Sequence, residues 1–140
     1  MRNLLVLLCL LAVTASAGDL RLEDRSFQTL AYIREDGRIE DSSFRTLGYI
    51  RDGERVEDAS FHTLGYIRQN RVEGDSFETL FHIEDDGRIS DPSFRTVVRI
   101  SLDGTVEDDS FSVILYTDGS DPSQTVKILA YLVFFSDFLR

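Results

Sequence analysis

The 140-residue sequence predicts an all-β fold: a closed ring of about five β-hairpin repeats of 17 residues, with pseudo-rotational symmetry, completed by an N-terminal and a C-terminal strand. Three observations predict it. A Ser-Phe pair recurs at Ser26-Phe27, Ser43-Phe44, Ser60-Phe61, Ser76-Phe77, Ser93-Phe94 and Ser110-Phe111, with Phe-to-Phe spacings of 17, 17, 16, 17 and 17 residues. Each period contains a tight-turn pair between two strand-like runs. The periods are flanked by a leading and a trailing half-unit, which a ring needs if its last blade is assembled from both ends.

The chain opens with Met1, Arg2 and Asn3, an apolar run from Leu4 to Val13, and Thr14-Ala15-Ser16-Ala17. A short cationic start, an apolar core and an A-x-A site describe a secretory signal peptide over residues 1–17, with cleavage expected near Ala17 and a single repeat domain over residues 18–140. A ten-residue apolar run is too short for a membrane-spanning helix, which takes roughly 20 residues. The chain's single cysteine, Cys9, lies inside this segment. The mature domain would hold no disulfide and would depend on packing and hydrogen bonds.

The whole chain has 25 acidic and 15 basic side chains, a formal charge of −10. That balance argues against nucleic acid as a partner, because phosphate binding needs a basic footprint, and against docking on an anionic membrane.

The unit is clearest as S-F-R-T-L-G-Y-I-R-D-G-E-R-V-E-D-A, Ser43 to Ala59. Phe-x-Thr-Leu-x-Tyr-Ile is aromatic and β-branched, as strands are. It leads into Asp36-Gly37, Asp52-Gly53, Gln69-Asn70, Asp86-Gly87, Asp103-Gly104 and Asp118-Gly119 in successive copies. Glycine there accepts the positive φ of a tight primed turn. A short strand follows, such as Arg38-Ile39-Glu40 or Arg55-Val56-Glu57, and then a second corner, Asp41-Ser42-Ser43 and its equivalents, whose oxygen-bearing side chains bond their own backbone. Period-two reading puts Phe44, Thr46, Gly48 and Ile50 on one face and Arg45, Leu47, Tyr49 and Arg51 on the other. Phe and Ile are then expected to pack blade to blade, with the Leu positions in a second apolar layer. Leu20 to Asp24 matches only the short strand, and Val126 to Phe135 matches the long strand and runs on as the least polar stretch of the domain.

These tandem units, behind a signal peptide and ahead of a Tyr-x-x-Phe-Phe terminal strand, resemble the five-fold β-flower proteins, small exported bacterial proteins. The resemblance runs from about Leu20 to Phe135 and implies a compact all-β ring; it implies no biochemical role for particular residues. The sequence departs from the regular pattern at Leu80-Phe81-His82, Val97-Val98-Arg99 and Val113-Ile114-Leu115, where bulkier residues replace the central glycine and make one side of the ring distinct.

Catalysis needs converging unlike groups, and the two histidines, His62 and His82, stand at repeat positions that other copies fill with Gln, Arg, Glu or Tyr. The serines recur with Phe at every corner, which a turn role explains. The acidic loops Glu35-Asp36-Gly37, Glu84-Asp85-Asp86-Gly87, Glu107-Asp108-Asp109 and Asp118-Gly119-Ser120-Asp121 hold hard oxygen ligands, but their spacing fits neither an EF-hand nor a calcium β-roll. A sharper reading is a ligand-binding ring of Tyr32, Tyr49, Tyr66, His82, Arg99, Tyr116 and Tyr131 at one height, flanked by Arg34, Arg51 and Arg68, that could hold a carbohydrate; half-buried packing is the plainer reading of the tyrosines. A transmembrane barrel is excluded by short strands with Arg on both sides of Leu.

The sequence therefore points to an exported, secreted or periplasmic, non-catalytic structural or binding module with no catalytic residue, metal or cofactor, no nucleic-acid partner and no membrane span, and with a glycan or a protein as candidate partner. The alternatives are an extracellular carbohydrate-binding protein using the Tyr/Arg face and, further off, a small hydrolase or a calcium-binding protein.

Overall fold

The computed structural model describes residues 18–118 and 124–139. The signal-peptide assignment at residues 1–17, with Cys9, and the positions Gly119, Ser120 and Asp121 lie outside the described residues. The described elements are β1 (Leu20–Glu23), β2 (Thr29–Ile33), β3 (Arg38–Asp41), β4 (Thr46–Arg51), β5 (Arg55–Asp58), β6 (Thr63–Ile67), β7 (Arg71–Gly74), β8 (Thr79–Ile83), β9 (Arg88–Ser90), β10 (Thr96–Ile100), β11 (Thr105–Asp108), β12 (Val113–Thr117) and α1 (Thr125–Phe134).

Each strand pairs antiparallel with its sequence neighbours, and β1 pairs with β12, Leu22 opposite Thr117 and Glu23 opposite Tyr116, so the wall closes into a barrel. The chain thus makes five hairpins joined by tight turns, and a sixth strand pair is assembled from its two ends. The leading half-unit completes the ring as the sequence predicts. The C-terminal strand that meets it is β12, however, and the apolar run after it is helical. With β12 already bonded to β1 the wall has no edge left for a further strand. Val126 to Phe134 contains no Gly or Pro to break a helix, and it includes the strong helix formers Lys127, Leu129, Ala130 and Leu132.

Five consecutive residues of α1, Ile128 to Leu132, are buried. At 3.6 residues per turn they cover every side of the helix, so α1 is surrounded by protein. It plugs the barrel. Ile33, Ile39, Val56, Val72, Ile89, Val98, Val106 and Leu115 from the wall join Leu129 and Leu132 from the helix in one buried cluster. Lys127 Nζ donates to the Gly18 carbonyl, tying the helix to the start of the wall.

The wall is not symmetrical around this plug. A Cβ added at Gly48 would stand 2.5 Å from the Phe135 ring, and one at Gly65 would stand 2.6 Å from the Phe134 ring. The equivalent positions hold Ala31, Phe81, Val98 and Leu115. The small residues make room for the two helix-end aromatics, and bulkier ones fill the space elsewhere. This is the physical content of the irregular repeats.

Two local features differ from simple strand alternation. Every corner pair contains a β-bulge whose extra residue is Leu30, Leu47, Leu64, Leu80, Val97 or Ile114. The bulge breaks the period of two, so these residues pack against the same core as the isoleucines and form no second layer. The phenylalanines are not blade-to-blade packing either, because each precedes its strand in a corner and stands on the outer surface. The tight turns also vary. Asp52 and Gly53 both have positive φ, as in a primed turn, whereas at Gly37, Gly87 and Gly104 only the glycine does, after a turn closed by hydrogen bonds such as Gly37 N–H to Arg34 O.

Gly65→Val should lower stability by about 1–3 kcal/mol, the usual cost of forcing extra carbon into a packed core. Urea denaturation of the variant against wild type measures it.

Candidate functional site

The outer face is built at the corners. In the corner before β4, Asp41 Oδ1 accepts from the backbone N–H groups of Ser43 and Arg45, at 2.8 and 3.0 Å, and Phe44 N–H bonds to Asp41 O. The same carboxylate bridge recurs at Asp24, Asp58, Asp91 and Asp108. The remaining corner has Gly74 in the aspartate position, and there the Glu78 carboxylate lies where a Gly74 Cβ would be and accepts from Ser76 N–H. A carboxylate caps the turn in all six corners even though a different residue supplies it.

This geometry leaves the phenylalanine in the left-handed region, with φ between 62° and 68° at Phe27, Phe44, Phe61, Phe77, Phe94 and Phe111. That conformation costs a residue with a Cβ roughly 1–2 kcal/mol. Stacking offsets it. Phe44 lies on Tyr32, Phe61 on Tyr49 and Phe77 on Tyr66, each pair with centroids 5.1 Å apart, and Phe27 lies on Tyr116 at 4.8 Å and Phe94 on His82 at 4.1 Å. In the sixth place the Arg99 guanidinium lies 4.0 Å from the Phe111 ring centre. A stacked aromatic pair contributes about 0.5–1.5 kcal/mol beyond the area it buries.

Arginines and glutamates extend each stack along the wall. Arg34, Arg51 and Arg68 lie over the rings of Tyr32, Tyr49 and Tyr66 at 5.0, 4.3 and 4.5 Å. Each also pairs with a buried glutamate, Arg34 with Glu40, Arg51 with Glu57 at 3.0 Å and Arg68 with Glu73 at 2.8 Å. A second arginine approaches the same carboxylate from its own strand, as Arg71 does Glu73 at 2.8 Å. Hydrogen bonds from Arg68 and Arg71 hold the Glu73 carboxyl below the ordinary glutamate value. Sequence reasoning alone misses these glutamates, although the recurring Arg-x5-Glu spacing of Arg34/Glu40 and Arg51/Glu57 marks them in the sequence.

Of the seven proposed ligand residues, Tyr32, Tyr49, Tyr66, His82, Arg99 and Tyr116 therefore stand at equivalent places on the outer wall. Tyr131 does not join them. It sits on α1 inside the barrel, 7% exposed, and burial pushes its hydroxyl pKa up. The six outer residues are covered by their phenylalanines, so the surface offered to solvent is the phenylalanine ring, 58–67% exposed in every repeat.

His62 sits in an exposed corner with Nδ1 3.3 Å from Asp58, the place where Arg45 and Arg95 meet Asp41 and Asp91. His82 is a stacking partner. Among the described residues no three His, Cys, Asp or Glu side chains form a group that could hold a metal ion. The loop acids act in turns: Asp36 accepts from Arg38 N–H, and Asp86 accepts from the backbone and side chain of Arg88. Among the described residues no helix is long and apolar enough to cross a membrane.

The family model described as 5-fold beta-flower protein matches residues 15–135, and the chain belongs to that family. The chain matches no curated protein and no solved structure.

The corners generate two testable expectations. Phe61→Ala should cost about 1–2 kcal/mol, since it loses the stack and keeps the backbone strain, and Phe61→Gly should cost less because glycine adopts positive φ freely. Chemical denaturation of both variants gives the order. Backbone hydrogen bonds, first of all from the N–H four residues on, lower the pKa of Asp41, Asp58 and Asp91 below the ordinary 3.8. A lowered carboxylate stabilises the fold above its unfolded pKa and loses that contribution as pH falls through the folded one. Melting temperature should thus begin to fall below about pH 4, and Asp91→Asn should reduce that fall.

Proposed function

We propose that this β-flower protein is an exported, non-catalytic binding module whose contact surface is the outer belt of six stacked phenylalanines. The single observation that carries this is their exposure: six aromatic rings, each at least 58% exposed, recur around a wall whose buried core forms without them. Single exposed apolar side chains are ordinary on a protein surface, and it is their recurrence in register around one wall that supports a contact surface.

Repetition also bears on the kind of target. Neighbouring repeats are two strands apart, about 10 Å at the usual strand spacing. A small ligand would meet one ring at a time, whereas a polymer or a surface with its own repeat can meet two or more, and weak contacts then add through effective concentration. A carbohydrate polymer suits the flanking groups, because the part-exposed guanidinium groups of Arg34 and Arg51 stand beside the rings, held there by Glu40 and Glu57. The platform in that reading is phenylalanine, with tyrosine beneath it as support. The exposed His62–Asp58 contact, which repeats an Arg–Asp contact of other corners, favours a non-catalytic role. Export rests on the signal-like residues 1–17, and the secreted or periplasmic location with it.

Sedimentation with cellulose, chitin and peptidoglycan tests the belt. Retention on at least one polymer is expected, with a loss of fivefold or more in the triple variant Phe44→Gly, Phe61→Gly, Phe77→Gly. Equal retention of variant and wild type would remove the belt as the contact surface. Export is checked by N-terminal sequencing of protein recovered outside the cytoplasm, which should begin at Gly18.

A further inference from the structure

We infer that the cleft between α1 and the wall, at the tight-turn end of the barrel, is a binding site for one small amphiphilic cation, an apolar chain or ring carrying a protonated amine. This site is separate from the outer belt and does not depend on it.

The ring itself shows where the interior is left unfilled. Ile33, Ile50, Ile67, Ile83 and Ile100 close the inner faces of β2, β4, β6, β8 and β10 at the same level. The first three are buried, at 0%, 8% and 3% exposure, but Ile83 and Ile100 are only partly covered. Over them opens a cleft of about 690 Å³, floored by Ile67, Ile83, Ile100, Val126 and Ile128. That volume falls within the range of small-molecule sites. The space on the side of α1 lined by Gly37, Ile50 and Lys127 is about 290 Å³, and there Lys127 is tied to the Gly18 carbonyl. At the cleft mouth stands Leu102, 70% exposed, in the turn position that Glu35 and Asp85 occupy in other repeats. An apolar residue thus replaces an acid at a turn tip that lines the cleft.

Charge selects the head group. The two arginines on the cleft lining are committed elsewhere: Arg68 pairs with Glu73 and Glu54, and Arg99 bonds to the Asp108 carbonyl and lies over Phe111. Asp86 is paired with Arg88 at 2.7 Å. Glu84 and Asp85 also line the cleft; Glu84 accepts a hydrogen bond from Ser90 Oγ at 3.4 Å, and among the described residues neither acid takes part in an ion pair. An apolar floor beneath uncompensated carboxylates fits a cation with an apolar body and disfavours an anion of the same shape.

Titration calorimetry of the protein with octylamine, octanol and octanoate at pH 7 tests this, since the amine is then protonated. One saturable site for octylamine is expected, with octanol at least fivefold weaker and octanoate weaker still. Leu102→Ser should weaken octylamine and octanol alike by threefold or more, and other repeats show that this turn position accepts a polar residue. Asp85→Leu, a change for which the turn at Leu102 supplies the precedent, should weaken octylamine by threefold or more without weakening octanol, the preference that remains coming from Glu84. Non-saturating uptake, octanoate bound as tightly as octylamine, or unchanged affinities in both variants would each overturn the assignment.

Discussion

The rest of this structure depends on one constraint: a closed wall of twelve strands encloses a volume that has to be filled. Closure removes every sheet edge, and with it the risk of pairing to another chain. Inward side chains from strands of three to six residues do not reach the axis of so wide a ring, and an empty apolar lumen would forfeit its packing contacts. Helix α1 resolves this by being apolar on all sides, with Ile128 to Leu132 buried in succession. The cost of using an asymmetric plug in a nearly symmetric ring appears in the wall. Gly48 and Gly65 stand under Phe135 and Phe134, while Phe81, Val98 and Leu115 take the same repeat position where the helix-end aromatics do not press.

The corners solve a different problem by local means. A tight bend between antiparallel strands asks for positive φ, which glycine supplies without strain, and all six corners use phenylalanine instead. Two contacts make that tolerable: a carboxylate satisfies backbone N–H groups of the turn, and the ring reaches back over the preceding repeat to stack on Tyr, His or Arg. The exchange at Gly74 and Glu78 shows that the corner requires a carboxylate at one point in space and is indifferent to which residue brings it. The same holds for the stack, where Tyr66, His82 and Arg99 serve in turn as the surface beneath a phenylalanine.

These substitutions explain what can be read from the sequence. The period, the corners, the hairpins and closure by the N-terminal half-unit are all legible, because turn chemistry and spacing are local and repeat in register. The helix is not. Val126 to Phe135 is apolar without period, and a run of that length is compatible with a buried strand or a buried helix; only the prior closure of the wall by β12 decides between them. Reading that run as a strand also puts Tyr131 among the outer residues. The side on which Phe44 and Leu47 fall is hidden for another reason. A bulge at Leu47 and a left-handed backbone at Phe44 each break the alternation on which a face assignment rests, and neither leaves a composition signal, since Gly is the residue expected at positive φ.

Symmetry and its breaking separate the two surfaces of the molecule. On the outer wall every repeat offers the same element, a phenylalanine ring on a supporting side chain, so any affinity there comes in equal copies and favours extended targets. At the tight-turn rim the off-centre helix makes the repeats unequal: Ile33 and Ile50 are buried, Ile83 and Ile100 are only partly covered, and Leu102 replaces an acid at a single turn. A site formed in that way exists once per molecule and can discriminate by size and charge. Both properties trace back to the filling of the lumen. An apolar helix leaning on the glycine side divides the unfilled volume unequally, about 690 Å³ over Ile83 and Ile100 against about 290 Å³ beside Ile50.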